Sequence, residues 1–332
     1  MTSTHTQHDA GAVPPPSDID WFADRFEAVT NNIGLAIQGK PDVIRLTVLC
    51  LISGGHVLIE DVPGVGKTLL AKSLARSLDS AFNRLQFTPD LLPSDVTGVS
   101  VFDREKGDFV FRPGPVFASI VLGDEINRAS PKTQSALLEA MEERQVTVDA
   151  ITRPLPRPFM VIATQNPIEH EGTYPLPEAQ LDRFMMRLVV GYPERSKELE
   201  MLDAHANDTT ASELSPVVTA DEIEKMSEVT RAVHVSDAVK GYVVDLAEAT
   251  RADPDLLLGA SPRSSLYLQR AGRTRAAIEG RAFVTPDDIK QILQPVLAHR
   301  LILRPEAQMR GVQMEKILEA IAQGVPVPGT IA

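Results

Sequence analysis

Phe22, Phe26, Val29, Ile33 and Ile37 recur at helical spacing and predict an amphipathic helix over residues 18–38. Ser17-x-x-Asp20 reads as its start, because a serine hydroxyl accepts a first-turn amide bond and an acidic side chain favours the positive helix end. Pro41 opens a second helix and Gly54-Gly55 closes it. The pattern then changes to short apolar runs, each followed by a polar turn and a helical stretch: Val57–Ile59, Leu85–Phe87, Ile120–Leu122, Phe159–Ala163 and Met186–Val190. Runs this short, bounded by Gly, Pro and Asp, predict buried parallel strands covered by helices on both faces. Two stretches interrupt the alternation. Residues 96–117 form an excursion with aromatic and Gly-Pro punctuation, and residues 145–158, with Val146-Thr147-Val148 and Pro154, Pro156 and Pro158, read as a hairpin standing off the sheet.

The strand pattern stops near residue 195. Beyond it Ser236-Asp237 caps a helix carrying Val239, Tyr242, Val243 and Leu246, Pro262 begins another, and Thr285-Pro286-Asp287-Asp288 begins a third. The expected architecture is a tail over residues 1–17, an α/β domain with a parallel five-stranded sheet over 18–195, a linker over 196–218 and an all-α domain over 219–332. Length agrees, since 332 residues make about two domains at roughly 150 residues each.

Composition narrows the function. The formal net charge of −12 opposes nonspecific duplex binding, whose affinity comes from the phosphate backbone, although a local basic channel stays compatible with it. A single cysteine, Cys50, excludes an intramolecular disulfide framework and suits a reducing compartment. The most apolar window, Val43 to Ile52, carries Arg45 and is about half the length of a bilayer span. With no secretory signal before Arg25, the expectation is a cytoplasmic protein without a membrane span.

The strand His56-Val57-Leu58-Ile59 leads into Glu60-Asp61-Val62-Pro63-Gly64-Val65-Gly66-Lys67-Thr68, and Leu70, Leu74 and Leu78 follow at helical spacing. A Gly-Lys-Thr triplet also occurs in ordinary surface turns, but strand, loop and helix in this order are the setting of a phosphate-binding loop. Gly64 and Gly66 let successive amides turn inward as an anion nest, the helix N-terminus adds positive partial charge, Lys67 would reach the β- and γ-phosphates, and the Thr68 hydroxyl would ligate magnesium. The first glycine of the usual G-x-x-x-x-G-K-T pattern is replaced by Asp61, at the strand exit and farthest from the phosphates.

A second apolar strand delivers Asp124 and Glu125 at its carboxyl end; read with Lys67 and Thr68, Asp124 would hold magnesium and Glu125 would deprotonate the attacking water. Alone, the pair could equally be an acidic turn. The run Phe159–Ala163 leads into Thr164-Gln165-Asn166-Pro167, where Asn166 either forms the turn or senses the γ-phosphate from a strand end. Arg183, before the last strand, and Arg263, at a helix start, could each meet a phosphate or form a salt bridge.

In combination these stretches resemble the MoxR family of AAA+ ATPases. The resemblance rests on residues 56–68, on Asp124-Glu-Ile-Asn-Arg-Ala129, on Gln134-Ser-Ala-Leu-Leu-Glu-Ala-Met141 with Glu143-Arg-Gln-Val146, on Ala163-Thr-Gln-Asn-Pro167 and on Leu181-Asp-Arg-Phe184. It implies an AAA+ P-loop fold with a helical lid, ATP and Mg2+ as cofactors, and nucleotide contacts from Pro63, Gly64, Val65, Gly66, Lys67, Thr68, Leu69 and Arg263. Thr68 and Asp124 match the metal-binding positions, Glu125 and Asn166 the catalytic glutamate and first sensor, Arg183 the arginine finger acting on a neighbouring subunit's ATP, and Arg263 the second sensor. Arg128 is either a further subunit-crossing arginine or a local ion pair. Residues 96–117 correspond to the helix-two insert and 145–158 to the pre-sensor hairpin.

The family forms homo-oligomeric, hexameric rings and acts as ATP-driven chaperones on protein clients, sometimes with metal or cofactor insertion and with von Willebrand factor A domain partners. Alternatives are a nucleic-acid motor, which Arg153 and Arg157 in the hairpin favour and Asp149 and the net charge oppose, a chelatase-like subunit, and a nucleotide-gated scaffold. Cys50 reads as core, and His56 has no metal-spaced partner. Arg263, Arg270, Arg273, Arg275 and Arg281 read as a solvated helix face rather than a nucleic-acid patch.

Overall fold

A computed structural model describes residues 13–167, 173–192, 195 and 213–329. Most of the expected tail and linker, residues 1–12 and 196–212, lies outside the described residues.

Helices α1 (Pro16–Ala36) and α2 (Pro41–Ile52) precede β1 (Val57–Glu60), α3 (Lys67–Ser77) and β2 (Phe82–Gln86). Then come α4 (Pro93–Thr97), β3 (Gly98–Asp103), β4 (Asp108–Pro113), β5 (Ile120–Asp124) and α5 (Pro131–Glu143). The hairpin strands β6 (Gln145–Val148) and β7 (Ile151–Pro154) lead to β8 (Met160–Gln165), α6 (Glu178–Leu181) and β9 (Met186–Leu188). The C-terminal part holds α7 (Ala220–Ala232), α8 (Asp237–Ala252), β10 (Leu256–Leu258), α9 (Pro262–Ile278), α10 (Pro286–Leu297), β11 (Ile302–Leu303), α11 (Pro305–Met309) and α12 (Met314–Gly324).

The five-stranded sheet has the order β2-β5-β8-β1-β9 with every pair parallel. Its apolar runs conceal a two-residue alternation: Val57, Ile59, Ile120, Leu122 and Ile162 enter one apolar cluster, while Leu58, Val121, Val161 and Ala163 enter the other. Both faces are covered, so both parities are apolar. The larger cluster continues through Phe22 and Phe26 of α1 and Val48 of α2 into Leu246, Leu268 and Ile292 of the C-terminal helices, making the lid and the sheet face one continuous core.

Three details differ from expectation. Helix α1 begins at Pro16 rather than residue 18, and its N-cap is Pro15 without a side-chain cap: proline at the first turn, not Ser17, starts the helix. Strand β2 starts at Phe82, three residues before its apolar run, because only Leu85 of this edge strand is buried and the polar positions carry no strand signal. The lid is helical but includes the antiparallel ribbon β10–β11. The caps at Ser236 and Thr285 accept the amides of Val239 and Asp288, as their sequence signals predict, and Ser261, before Pro262, accepts that of Ser264. The two interruptions are both hairpins, β3–β4 and β6–β7, the second turning through Asp149 and Ala150 at positive φ.

Two buried histidines join these layers. His56 Nδ1 accepts the Val161 amide at 2.9 Å, so its proton sits on Nε2, which donates to the Met141 carbonyl at 3.1 Å. His299 Nε2 donates to the Phe184 carbonyl at 3.0 Å. Burial, with Arg144 beside His56 and Arg300 beside His299, holds both pKa values well below the ordinary 6.5. Each ring stays neutral in the fold but is protonated below pH 6.5 once unfolded, so the unfolded chain binds more protons and acid destabilises the fold. We expect the unfolding free energy to fall below that pH by up to about 1.4 kcal/mol per pH unit for each histidine. Urea titrations at a series of pH values measure the slope, and His56→Gln should reduce it; a slope unchanged by the substitution would contradict the assignment.

Candidate active site

Strand β1 exits at the carboxyl edge of the sheet into the loop Asp61–Gly66, and α3 begins at Lys67 with Gly66 as its N-cap. Gly64 and Gly66 have φ of 85° and 94°, the left-handed conformations that turn loop amides toward one point. A cleft of about 440 Å³ opens over them, and Pro63, Lys67, Thr68 and Leu69 line it. Val65 does not; its side chain packs on the larger apolar cluster and anchors the loop from below. Lys67 Nζ donates to the carbonyls of Asp61 and Val62 at 2.8 and 3.0 Å. Burial lowers its pKa, while Asp61, Asp124 and Glu125 act in the opposite direction.

Asp61 turns away from the cleft. Its Oδ1 accepts the Val62 amide at 2.8 Å and its Oδ2 the Gly191 amide at 2.5 Å, so the residue that breaks the glycine pattern ties the loop to the segment leaving β9. This carboxylate leaves the nest open.

Strands β5 and β8 bring Asp124, Glu125 and Asn166 to the same cleft. Glu125 has φ 58° and ψ 50°, a conformation costly for a side chain with a Cβ, and the Thr164 hydroxyl supports it by accepting the Glu125 amide at 2.9 Å and donating to Asp124 Oδ1 at 2.6 Å. Two residues missed in the sequence complete the group. Arg84 and Gln86, on one face of β2, donate to Asp124 Oδ2 at 2.6 Å and to Glu125 Oε2 at 2.8 Å. No local signal marks them: only the pairing of β2 with β5 sets them beside the two carboxylates. Within the single chain, Arg128 pairs with Glu125 Oε2 at 3.1 Å.

Arg183 and Arg263 do not line this cleft. They meet on one carboxylate, Glu142 of α5: Arg183 Nε lies 3.1 Å from Oε2, and Arg263 donates to Oε1. Gly54, His56 and Met141 line the same recess, which places it at the amino end of β1. The four residues of β1 put roughly 13 Å of strand between the two ends. The expectation that Arg263 contacts nucleotide is therefore not met within one chain, because the lid helix α9 starts at the opposite end of the sheet. Arg300 fixes the turn carrying Arg183: its Nε pairs with Asp182 Oδ1 at 2.8 Å, and its guanidinium also donates to the carbonyls of Asp182, Phe184 and Met185.

The donor set suits magnesium. Thr68 and Asp124 offer hard oxygen ligands beside an anion nest, and the described residues contain no cluster of His, Cys, Asp and Glu that would form an all-protein cage. A magnesium ion characteristically binds through one or two protein oxygens plus substrate phosphates.

Fold and site define a phosphate-loop ATPase with a helical lid. The family model for the ATPase family associated with various cellular activities (AAA) matches residues 56–186, and that for the AAA lid domain matches residues 248–321. The chain is 48% identical over 297 residues to the uncharacterized protein YeaC of Bacillus subtilis, covering 90% of this chain and 93% of that one. It is 40% identical to Chaperone MoxR1 of Mycobacterium tuberculosis, over 95% of this chain and 86% of the relative. A crystal structure of a proposed ATPase from Cytophaga hutchinsonii superposes with a TM-score of 0.88 at 38% identity, covering 94% of this chain and 97% of that one. The chain belongs to the MoxR family of AAA+ ATPases.

Because Asp61 braces the loop and does not face the cleft, Asp61→Ala should lower the unfolding free energy by about 1–3 kcal/mol through its two orphaned amides. Nucleotide affinity should change far less. Denaturant unfolding with parallel nucleotide titration separates the two; unchanged stability with a collapse in affinity would place Asp61 in the binding site.

Proposed function

We propose that this chain is a subunit of a homo-oligomeric ring, hexameric as in the family it resembles, that hydrolyses ATP at sites shared by neighbouring copies and uses the cycle to remodel a protein client. The observation that carries this reading is the separation of Lys67, Thr68, Asp124, Glu125 and Asn166 at the carboxyl end of the sheet from Arg183 and Arg263 at its amino end. A second chain presenting its arginine end to this cleft supplies the missing positive charge.

In that arrangement the loop amides and Lys67, released from the Asp61 and Val62 carbonyls, hold the phosphates. Thr68 and Asp124 would hold a magnesium ion, which would supply positive charge against the phosphates. Glu125 takes the proton of the attacking water; Gln86 and Arg128 engage Oε2 and leave Oε1 to accept it. Asn166 orients that water, and the neighbouring copy's arginine stabilises the charge that develops on the γ-phosphate.

A protein client is supported by the name of the chaperone relative and by a net charge that disfavours nucleic acid. A von Willebrand factor A domain partner and metal or cofactor insertion follow from the family resemblance. No described helix is long and apolar enough to cross a membrane, and the buried thiol of Cys50 suits the cytoplasm.

Glu125→Gln should retain ATP binding while hydrolysis falls by about 10²–10⁴-fold, because binding and proton transfer lie on different residues. Single-turnover hydrolysis beside equilibrium nucleotide binding measures this, and wild-type turnover would remove Glu125 from the mechanism. Arg183→Ala and Lys67→Ala subunits, each inactive alone, should regain partial activity when mixed, since a mixed interface restores one intact pair. Mixed rings with no recovered turnover would overturn the shared site.

A further inference from the structure

A cavity of about 490 Å³ lies between the foot of the β6–β7 hairpin, the end of α2 and helices α7 and α9. Arg144, Arg157, Arg231, Arg270 and Arg273 line it, opposed by the carboxylate of Glu224 alone. Arg144 donates to the carbonyls of Gly54 and Phe159, which are not counter-charges. The side chains of the other four arginines have no hydrogen bond, ion pair or ring contact among the described residues, and Arg273 Nε is buried without an acceptor. Elsewhere on the same stretch the arginines are paired, Arg275 with Glu279 and Arg281 with Asp288. Burial, joined by the charges of Arg157 and Arg270, lowers the pKa of Arg144. In a chain of net charge −12, five like charges gathered around one cavity with a single carboxylate among them are a cost to the fold that an external anion relieves.

We propose that this cavity is a second anion site, separate from the phosphate loop, that takes a small ligand bearing a polyphosphate. Its guanidiniums come from the end of α5, the segment after β7, α7 and α9, and they surround one volume instead of forming a track. An extended acidic peptide offers at most one carboxylate per residue, roughly 3.3 Å apart or more, whereas a polyphosphate concentrates several charges within that distance. Planar guanidinium forks, with no lysine among them, suit bidentate phosphate contacts. Leu51, Leu155 and Phe159 give the cavity an apolar wall for the remainder of the ligand, and its volume lies within the ordinary range of small-molecule sites.

The test uses full-length Lys67→Ala/Arg183→Ala protein, in which the phosphate loop and the subunit-crossing arginine are disabled, so that failure of the ATPase reading cannot imitate failure of this one. Calorimetric titration with inorganic tripolyphosphate, without magnesium, should show one salt-sensitive site per chain. Adding Arg157→Gln and Arg270→Gln should weaken it by about tenfold or more, while Arg112→Gln, on the exposed face of β4, should leave it unchanged. Thermal melting confirms that each variant is folded. Absent tripolyphosphate binding, binding indifferent to Arg157→Gln and Arg270→Gln in folded protein, or tighter binding of polyglutamate or of a single-stranded oligonucleotide would each overturn the proposal.

Discussion

The directionality of the parallel sheet governs which charged groups of the α/β domain can share one end of the molecule. Because β1, β5 and β8 all run the same way, their carboxyl ends gather Lys67, Asp124, Glu125 and Asn166 at one edge. The same constraint sends the residues that precede β1 and β9 to the other edge, with Arg183 among them. A single chain thus carries a phosphate-binding end and an arginine end that cannot meet each other. In the proposed assembly, head-to-tail contact between identical subunits would bring the unlike ends together, closing into a ring where the rotation between copies permits.

The arginine end is built with more rigidity than its exposed salt bridges would supply. Arg300 is 5% exposed and joins the lid segment after α10 to the Asp182–Met185 turn through several hydrogen bonds, with its guanidinium 4.9 Å from the centroid of the Tyr267 ring. His299 adds a bond to the Phe184 carbonyl. The lid and the turn that bears Arg183 are consequently one mechanical unit. Any rotation of the lid would be transmitted to Arg183 through buried bonds, whereas the partly exposed Glu142 pairing is screened by solvent and holds Arg183 only weakly.

Much of this was legible in the sequence because it depends on local chemistry. Proline and hydroxyl caps mark helix starts, Gly64 and Gly66 mark a nest, and apolar runs of strand length mark the central strands. What stayed hidden depends on distance. Nothing local distinguishes Arg84 and Gln86 from solvent-facing residues on an edge strand until β5 places Asp124 and Glu125 beside them. Asp61 looked like a defect in the loop because its partner, the Gly191 amide, lies 130 positions away. His56 lacked a metal-spaced partner because it is a structural bridge between α5 and β8.

The same distinction explains why five arginines between Arg263 and Arg281 did not share one fate. Four of them lie on α9 and Arg281 just beyond its end, but their charges are settled by what the rest of the chain brings near. Arg275 and Arg281 find carboxylates within their own stretch, and Arg263 finds Glu142 of α5. Arg270 and Arg273 instead face Arg144, Arg157 and Arg231, residues drawn from three other segments. An excess of acidic residues over the whole chain therefore says little about any one surface. Within a fold of net charge −12 the basic groups are concentrated where the sheet's amino edge, the hairpin foot and the lid converge, and that concentration sets which anions this face can receive.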